Sequence, residues 1–449
     1  MTTASIPSIQ TIRYMGSKRK LLDFIVPEIR RLVPKGGMIL DLLAGANSVS
    51  YALKKDYRII TNDIQEYSWV IANALILSKS IPTDLLDEAK RELESHYTRN
   101  YEQLASWFSR YLEIEASHLA NPELRPYKQF CDPFPYYDNP NGNSKLPMGI
   151  AFLRLFSQDN IKIYEKQPDR FPYLLVSTYF ANGYFGIRQS LEIDSLRYAI
   201  DKVIEEANSL TAQERLVKKS IYLTSLMSAM SKAVSSTGHF AQFHKIDTEH
   251  TLRFAVKARA FSITELFYQK LGEFVDSFQP TRFDNICLNE DYTHTLERED
   301  LMREVDLVYV DPPYSNAHYS RFYHVLETLV KYDYPDSTYI GRYRDDRYQS
   351  GFCRKGEVRS EFRELLMRLS RLEFDVVISY VSNDKAKNTS NPFGFDGEEL
   401  VDLCRDYYLD VEVKCRDHHH QAFGNKKARY GGKIEHLIFC LSRTRNEQR

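Results

Sequence analysis

Short apolar runs that stop at an acid or a turn punctuate this chain, with longer stretches of helical spacing between them. The clearest run is Val305-Asp306-Leu307-Val308-Tyr309-Val310, which reads as a buried strand ending abruptly at Asp311-Pro312-Pro313-Tyr314. Residues 35–48 read as turn, strand, small-residue loop and helix start, with Ser48 as the N-cap. Residues 57–64 and 283–292 repeat the pattern of a short strand that ends in an acid, Asp63 and Asp291. Residues 375–380 predict another central strand, and 434–439 an edge strand after a basic, glycine-containing turn. Leu21, Leu22, Ile25, Ile29 and Leu32 recur at helical spacing, so a helix starts near Ser17. Tyr319, Phe322, Tyr323, Val325, Leu326, Leu329 and Val330 predict a second apolar helix, ended by Tyr334-Pro335.

The middle of the chain has a different character. Residues 85–93 are helical and charged, and 131–143 form a turn-rich loop without periodicity. Residues 177–189 are rich in aromatics and glycine, and 235–245 are polar.

The chemistry concentrates at the end of the strand at 305–310. Two prolines remove two backbone donors and fix the path of the turn, so the Asp311 carboxylate, the Pro312 carbonyl and the Tyr314 ring converge on a small volume. In open α/β sheets ligands bind just beyond the carboxyl ends of strands. Acceptors beside a stacking ring suit a planar ligand with an exocyclic amine. Upstream, Gly45 permits close backbone approach to a ligand, and Asn47 is the non-glycine type best able to adopt a left-handed conformation. Asp63 follows at about the twenty-residue spacing at which an acid holds the ribose hydroxyls of an adenosine-containing cofactor, with Ile64 placed to pack on the adenine.

Asp-Pro-Pro-Tyr after an apolar strand resembles motif IV of the S-adenosylmethionine-dependent methyltransferases that act on N6 of adenine in DNA, and the other segments resemble the α-class (D12, Dam-like) members of that family. The resemblance implies that Asp311 and the Pro312 carbonyl accept from the adenine amine. Pro313 would complete the turn, and Tyr314 would stack on a base flipped out of the duplex. Asp41, Leu43, Ala44, Gly45 and Asn47 resemble the motif I loop around the methionine part of the cofactor, although Leu43 replaces an aromatic and Asn47 a glycine. Asp291, with Tyr292 beside it, resembles the acid that accepts from the cofactor's adenine amine, and Asp311 also borders the cofactor. Tyr14 and Lys18 resemble the motif X aromatic and lysine that reach the cofactor.

The motif order implies a class I methyltransferase fold: α/β, Rossmann-like, with a mostly parallel seven-stranded sheet and an inserted, mainly helical target-recognition domain. The expected division is a cofactor-binding half at 1–80, the insertion at 81–280 and a catalytic half at 281–449. Double-stranded DNA would be contacted by Gln242, His244 and Lys245 in the polar loop, since amides read adenine edges and cations read guanine or phosphate. Lys426, Lys427 and Arg429 resemble the basic motif VIII turn and a backbone clamp. The arginines at 342–359 are diluted by acids and read as a solvated loop rather than a phosphate track. An RNA adenine methyltransferase and a silent cofactor-fold binding protein stay open as alternatives.

Composition narrows this only a little. Sixty Lys and Arg against 61 Asp and Glu leave a net charge of −1, so any affinity for phosphates comes from local clustering of charge. Six cysteines form no C-x-x-C pair, which suits reduced thiols in a cytoplasmic protein. No signal peptide or long apolar run is read, so no membrane partner is expected. Three consecutive histidines, 418–420, cannot all face one ion on regular structure, and no metal site is expected. A separately encoded restriction endonuclease is the partner that a modification enzyme would have.

Overall fold

The computed structural model describes residues 6–132, 163, 171–313, 316, 318–337, 341–382, 395–418 and 433–442. Its centre is a seven-stranded sheet: β1 (Met38–Asp41), β2 (Arg58–Asn62), β3 (Ile286–Leu288), β4 (Leu307–Val310), β5 (Asp375–Ser382), β6 (Asp410–His418) and β7 (Lys433–Leu441). They lie in the order β3-β2-β1-β4-β5-β7-β6. All pairs are parallel except those of β7, which runs antiparallel to β5 and to β6. The class I methyltransferase sheet expected from the sequence is therefore present. One detail differs: β7 lies inside the sheet, and β6 forms the edge. β6 carries Glu412, Lys414 and Arg416, which pair with Arg31, Glu28 and Asp23 of the helix Leu22–Leu32 and so charge the outer strand.

Covering helices on both faces explain why the inner strands read as continuous apolar runs. Along β4, Leu307 and Tyr309 enter one core while Val308 and Val310 enter the other; along β7, Leu437 and Phe439 alternate with Ile438 and Cys440 in the same way. The first core is closed by helices Leu22–Leu32, Ser48–Leu53, Glu66–Ala72 and His324–Lys331, the second by Val358–Arg371 and Gly397–Arg405. β1 and β4 are neighbours from which the chain winds outward in opposite directions. That is the topological switch point at which open α/β sheets bind ligands.

Between β2 and β3 the described insertion is helical: Leu85–Ala120, Leu124–Cys131, Leu175–Tyr179, Ile187–Glu206, Ala212–Ala233, Glu249–Arg259 and Ile263–Ser277. Its packing is continuous with the sheet's, because Leu226, Met227 and Met230 share the first core with Ile39 and Leu307. Further out, Leu104, Phe108, Tyr127, Leu191 and Leu252 make a separate cluster.

Two local expectations are corrected. Asn47, not Ser48, occupies the N-cap of the helix after β1. The helix after β4 is broken at Tyr323 and stops at Lys331, where Tyr332 turns left-handed before Pro335 is reached; its hydroxyl donates to buried Asp194. The aromatics of 177–189 are core: Tyr179, Phe180, Tyr184 and Phe185 are all buried.

Candidate active site

Four strand ends converge on an open cavity. β1 supplies the loop that begins at Asp41. Gly45 and Asn47 both adopt left-handed conformations there, with φ 52° and 57°. The Asn47 amide is fully buried and spent inside the fold: it donates to the Gly45 and Ser68 carbonyls and accepts from Thr61 Oγ1 at 2.7 Å. Asn47, expected among the cofactor contacts, thus shapes the loop from behind and does not line the cavity. Gly45 is sterically required, because a Cβ there would sit 2.7 Å from Tyr14 Oη. Tyr14 stacks on Tyr323 and Tyr319, with ring centroids 5.0 and 5.3 Å away. Tyr323 also accepts from the Met15 N–H at 2.7 Å, which fastens the N-terminal segment beside the helix that follows β4.

Asp63, after β2, accepts from the N–H groups of Gly45 and Gln65, each at 2.8 Å. Burial raises its carboxyl above the usual range, and those donors pull it part of the way back. Asp291, after β3, caps the helix Tyr292–Leu296 through Thr293 and accepts from Tyr348 Oη at 2.9 Å. Burial opposes its ionisation, yet these donors hold it below the usual range. Asp41 gives one oxygen to Ser50 Oγ at 2.6 Å, while its buried Oδ1 has no hydrogen-bond partner. Burial, with Asp311 and Asp63 nearby, pushes this carboxyl up to about 7.

At the end of β4, Asp311 keeps a fifth of its side chain open, and Lys18 Nζ lies 2.9 Å from its Oδ1. Burial, with Glu435 adding to it and Lys18 opposing it, pushes the Asp311 carboxyl up to about 6. Lys18 itself is buried, which disfavours its charge, but the carboxylates of Asp311 and Glu435 more than restore it.

Tyr14, Lys18, Asp41, Leu43, Ala44, Gly45, Asp63, Ile64, Asp291, Tyr292, Asp311 and Pro313 all border the cavity, and Pro312 is buried beside it. Tyr314, Lys426, Lys427 and Arg429 lie outside the described residues. Gln242 and Lys245 are exposed, whereas His244 is half-buried, its ring edge-on to Phe254 at 5.0 Å. Of the arginines at 342–359, expected in a solvated loop, Arg354 and Arg359 are exposed but Arg342 and Arg344 are buried. Arg344 is buried between Asp333 and Asp346, Arg342 donates to the Tyr179 carbonyl, and Arg359 pairs with Glu399. What the sequence hid is that the same segment brings Tyr348, Ser350, Phe352 and Cys353 to the cavity wall, with Glu290 beside Asp291. No spacing rule marks those positions, since only the fold brings them to the strand ends.

Five carboxylates (Asp41, Asp63, Glu290, Asp291 and Asp311) and one ammonium, Lys18, line this space among the described residues. Such a lining attracts a cation and accepts from hydroxyl and amine donors. The unpartnered Asp41 oxygen and the acid lining fit the cationic charge and the hydroxyl and amine donors of S-adenosylmethionine.

Known proteins agree with the geometry. The chain is 26% identical over 440 residues to Modification methylase LlaI of Lactococcus lactis subsp. lactis, covering 96% of this chain and 55% of that protein. It is 24% identical to Type II methyltransferase M.FokI of Planomicrobium okeanokoites (96% and 53%) and 24% identical to Type II methyltransferase M.CviAII of Paramecium bursaria Chlorella virus 1 (96% and 98%). The chain thus spans about half the length of the first two of these relatives. The family model of the D12 class N6 adenine-specific DNA methyltransferases matches residues 14–137 and 156–379, and the chain belongs to that family.

Proposed function

We propose that the chain methylates N6 of an adenine extruded from double-stranded DNA at a specific sequence, using S-adenosylmethionine. The observation that carries this reading is Asp311 at the end of β4, ion-paired yet open to an acid-lined cavity. When bound, the cofactor supplies a methyl group on a cationic sulfur, which leaves as a neutral thioether while the accepting nitrogen sheds one proton to solvent. The chain's own residues bind and aim. Asp41, the Gly45 loop and Tyr14 would hold the methionine part, Asp63 the ribose, and Asp291, Tyr292 and Ile64 the adenine. Asp311 and the Pro312 carbonyl would accept the two amine hydrogens, which localises the nitrogen lone pair and points it along the transfer axis. Positioning of this kind supplies most of the rate, since the methyl group arrives activated. Tyr314 would stack on the extruded base.

The inserted helices 81–280 would carry target recognition, with Gln242 and Lys245 as the exposed candidates for DNA contact. The relatives' names, modification methylase and type II methyltransferase, support a role in a restriction–modification system beside a separately encoded endonuclease, in the cytoplasm. No described helix is long and apolar enough to cross a membrane. The deciding experiment offers labelled S-adenosylmethionine with duplex DNA or with RNA, followed by nucleoside analysis. N6-methyladenine in DNA is the expected product. Label on cytosine, or only in RNA, overturns the substrate, and bound cofactor without transfer overturns the activity.

A further inference from the structure

Behind Asp311 lies a second carboxylate that the reaction described above does not use. Glu435, on the inner strand β7, is fully buried. Its Oε1 is 3.2 Å from Lys18 Nζ, the same ammonium that lies 2.9 Å from Asp311 Oδ1. The Ser379 hydroxyl on neighbouring β5 donates to that same Glu435 oxygen. Among the described residues, one cation therefore stands between two carboxylates, and acid outnumbers base in the cluster.

Burying such a cluster is costly, and well-packed apolar residues would serve the fold at least as well. Lys18 and Asp311 alone would make a neutral pair. That pair would be a weaker acceptor for an amine whose nitrogen turns positive as it is alkylated. From the proposed adenine-N6 reaction, we infer that Glu435 is a positioning residue: it holds Lys18 against Asp311 and keeps the cluster net negative behind the reacting amine.

The groups that face Asp311 come from four elements: Lys18 from the N-terminal segment, Glu435 from β7, Tyr309 from β4 and Asp41 from the end of β1. Of these, Glu435 raises the Asp311 carboxyl and Lys18 lowers it. Methyl transfer needs ionised Asp311, so activity falls as pH drops through the Asp311 range. Removing Glu435 moves that acidic limb to lower pH, and removing Lys18 moves it to higher pH.

The test measures single-turnover methyl transfer to duplex DNA between about pH 5 and pH 8 for the full chain, E435Q and K18M, with the urea unfolding midpoint as the check on folding and cofactor affinity measured alongside. E435Q is expected to slow transfer by roughly tenfold or more and to shift the acidic limb down, with cofactor affinity within about threefold of the parent; K18M is expected to shift the limb up. An unmoved limb in E435Q, whatever its rate, overturns the inference, because a merely structural glutamate would slow the enzyme without retuning Asp311. If E435Q fails to bind cofactor, E435D carries the same test, since it draws the charge back from Lys18. A parent chain that transfers no methyl to DNA defeats the functional reading instead, and the two failures are thereby told apart.

Discussion

Both the sheet and the inserted helices bury carboxylates, but they use them in opposite ways. Glu115, on the insertion's long first helix, accepts from the N–H groups of Ile187 and Arg188 at 2.8 and 2.9 Å and so closes the start of the helix Ile187–Glu206. The fit is tight, for a Cβ at Gly186 would sit 2.5 Å from Glu115 Oε1. Asp194 likewise takes the N–H groups of Val176 and Ser177, the Ser177 hydroxyl and the Tyr332 hydroxyl. These acids spend their acceptors on helix N-termini, where exposed N–H groups and the helix dipole favour negative charge. Of the strand-end acids, Asp63 and Asp291 also accept from backbone N–H groups, but Asp41 has a buried oxygen without a hydrogen bond, and Asp311 is open to the cavity. An acid spent on backbone away from any cavity holds the fold. An acid with acceptors left over at a cavity is available for chemistry.

The sharpest way to break this contrast is Asp311→Ala. Methyl transfer should fall by about a thousandfold or more, the scale of losing a group whose interaction is made in the transition state, while cofactor affinity and unfolding midpoint change little. Turnover within tenfold of the parent would show that the reserve at Asp311 is not used. Stability is expected to be spared because Lys18 retains Glu435 as a partner.

Glu115→Ala should reverse the pattern. It leaves two buried N–H groups without an acceptor, at about 1–3 kcal/mol each, and the loss should appear in the urea midpoint with an unchanged slope. Cofactor binding in the folded variant should match the parent. A variant as stable as the parent would mean that solvent reaches the start of helix Ile187–Glu206 and that the acid there is not essential.

The same contrast explains what the chain's sequence makes legible. The strand-end acids could be read because strand, turn and acid are neighbours in sequence, and each motif is complete within a dozen residues. Three helix starts in and around the insertion could not, whereas Thr211, Thr248 and Ser262 cap theirs locally. Gln65, Leu174 and Gly186 make no side-chain cap, and the carboxylates that serve these helices, Glu327, Asp194 and Glu115, come from 261, 18 and 72 residues away. Arg342 and Arg344 misled for a related reason: the acids around them were visible in the sequence, but not that the fold buries both, Arg344 between Asp333 and Asp346 and Arg342 on the Tyr179 carbonyl. Glu435 was hidden as well, since an acid inside an apolar strand announces no partner until β7 is placed beside β5 and the Lys18 turn.

The smallest expected effect sharpens the comparison at the surface of the insertion. In the loop 235–245, the backbone pairs Ser236 with Phe243, and Phe240 is buried, so the loop is held in one shape. His244 lies against Phe254 and donates its N–H to the Ser235 carbonyl, leaving Gln242 and Lys245 as the exposed side chains of the earlier trio. Removing one phosphate contact lowers the salt dependence of DNA binding by about one counterion and weakens binding to all sequences alike. Removing a base contact costs about 1–3 kcal/mol at one position of the site only. Lys245→Ala should therefore reduce the salt slope without altering site preference, and Gln242→Ala should relax preference at one base pair without altering the slope. Equal DNA affinity, slope and preference in both variants would place the recognition surface elsewhere on the insertion, while the strand-end site would stand unaffected.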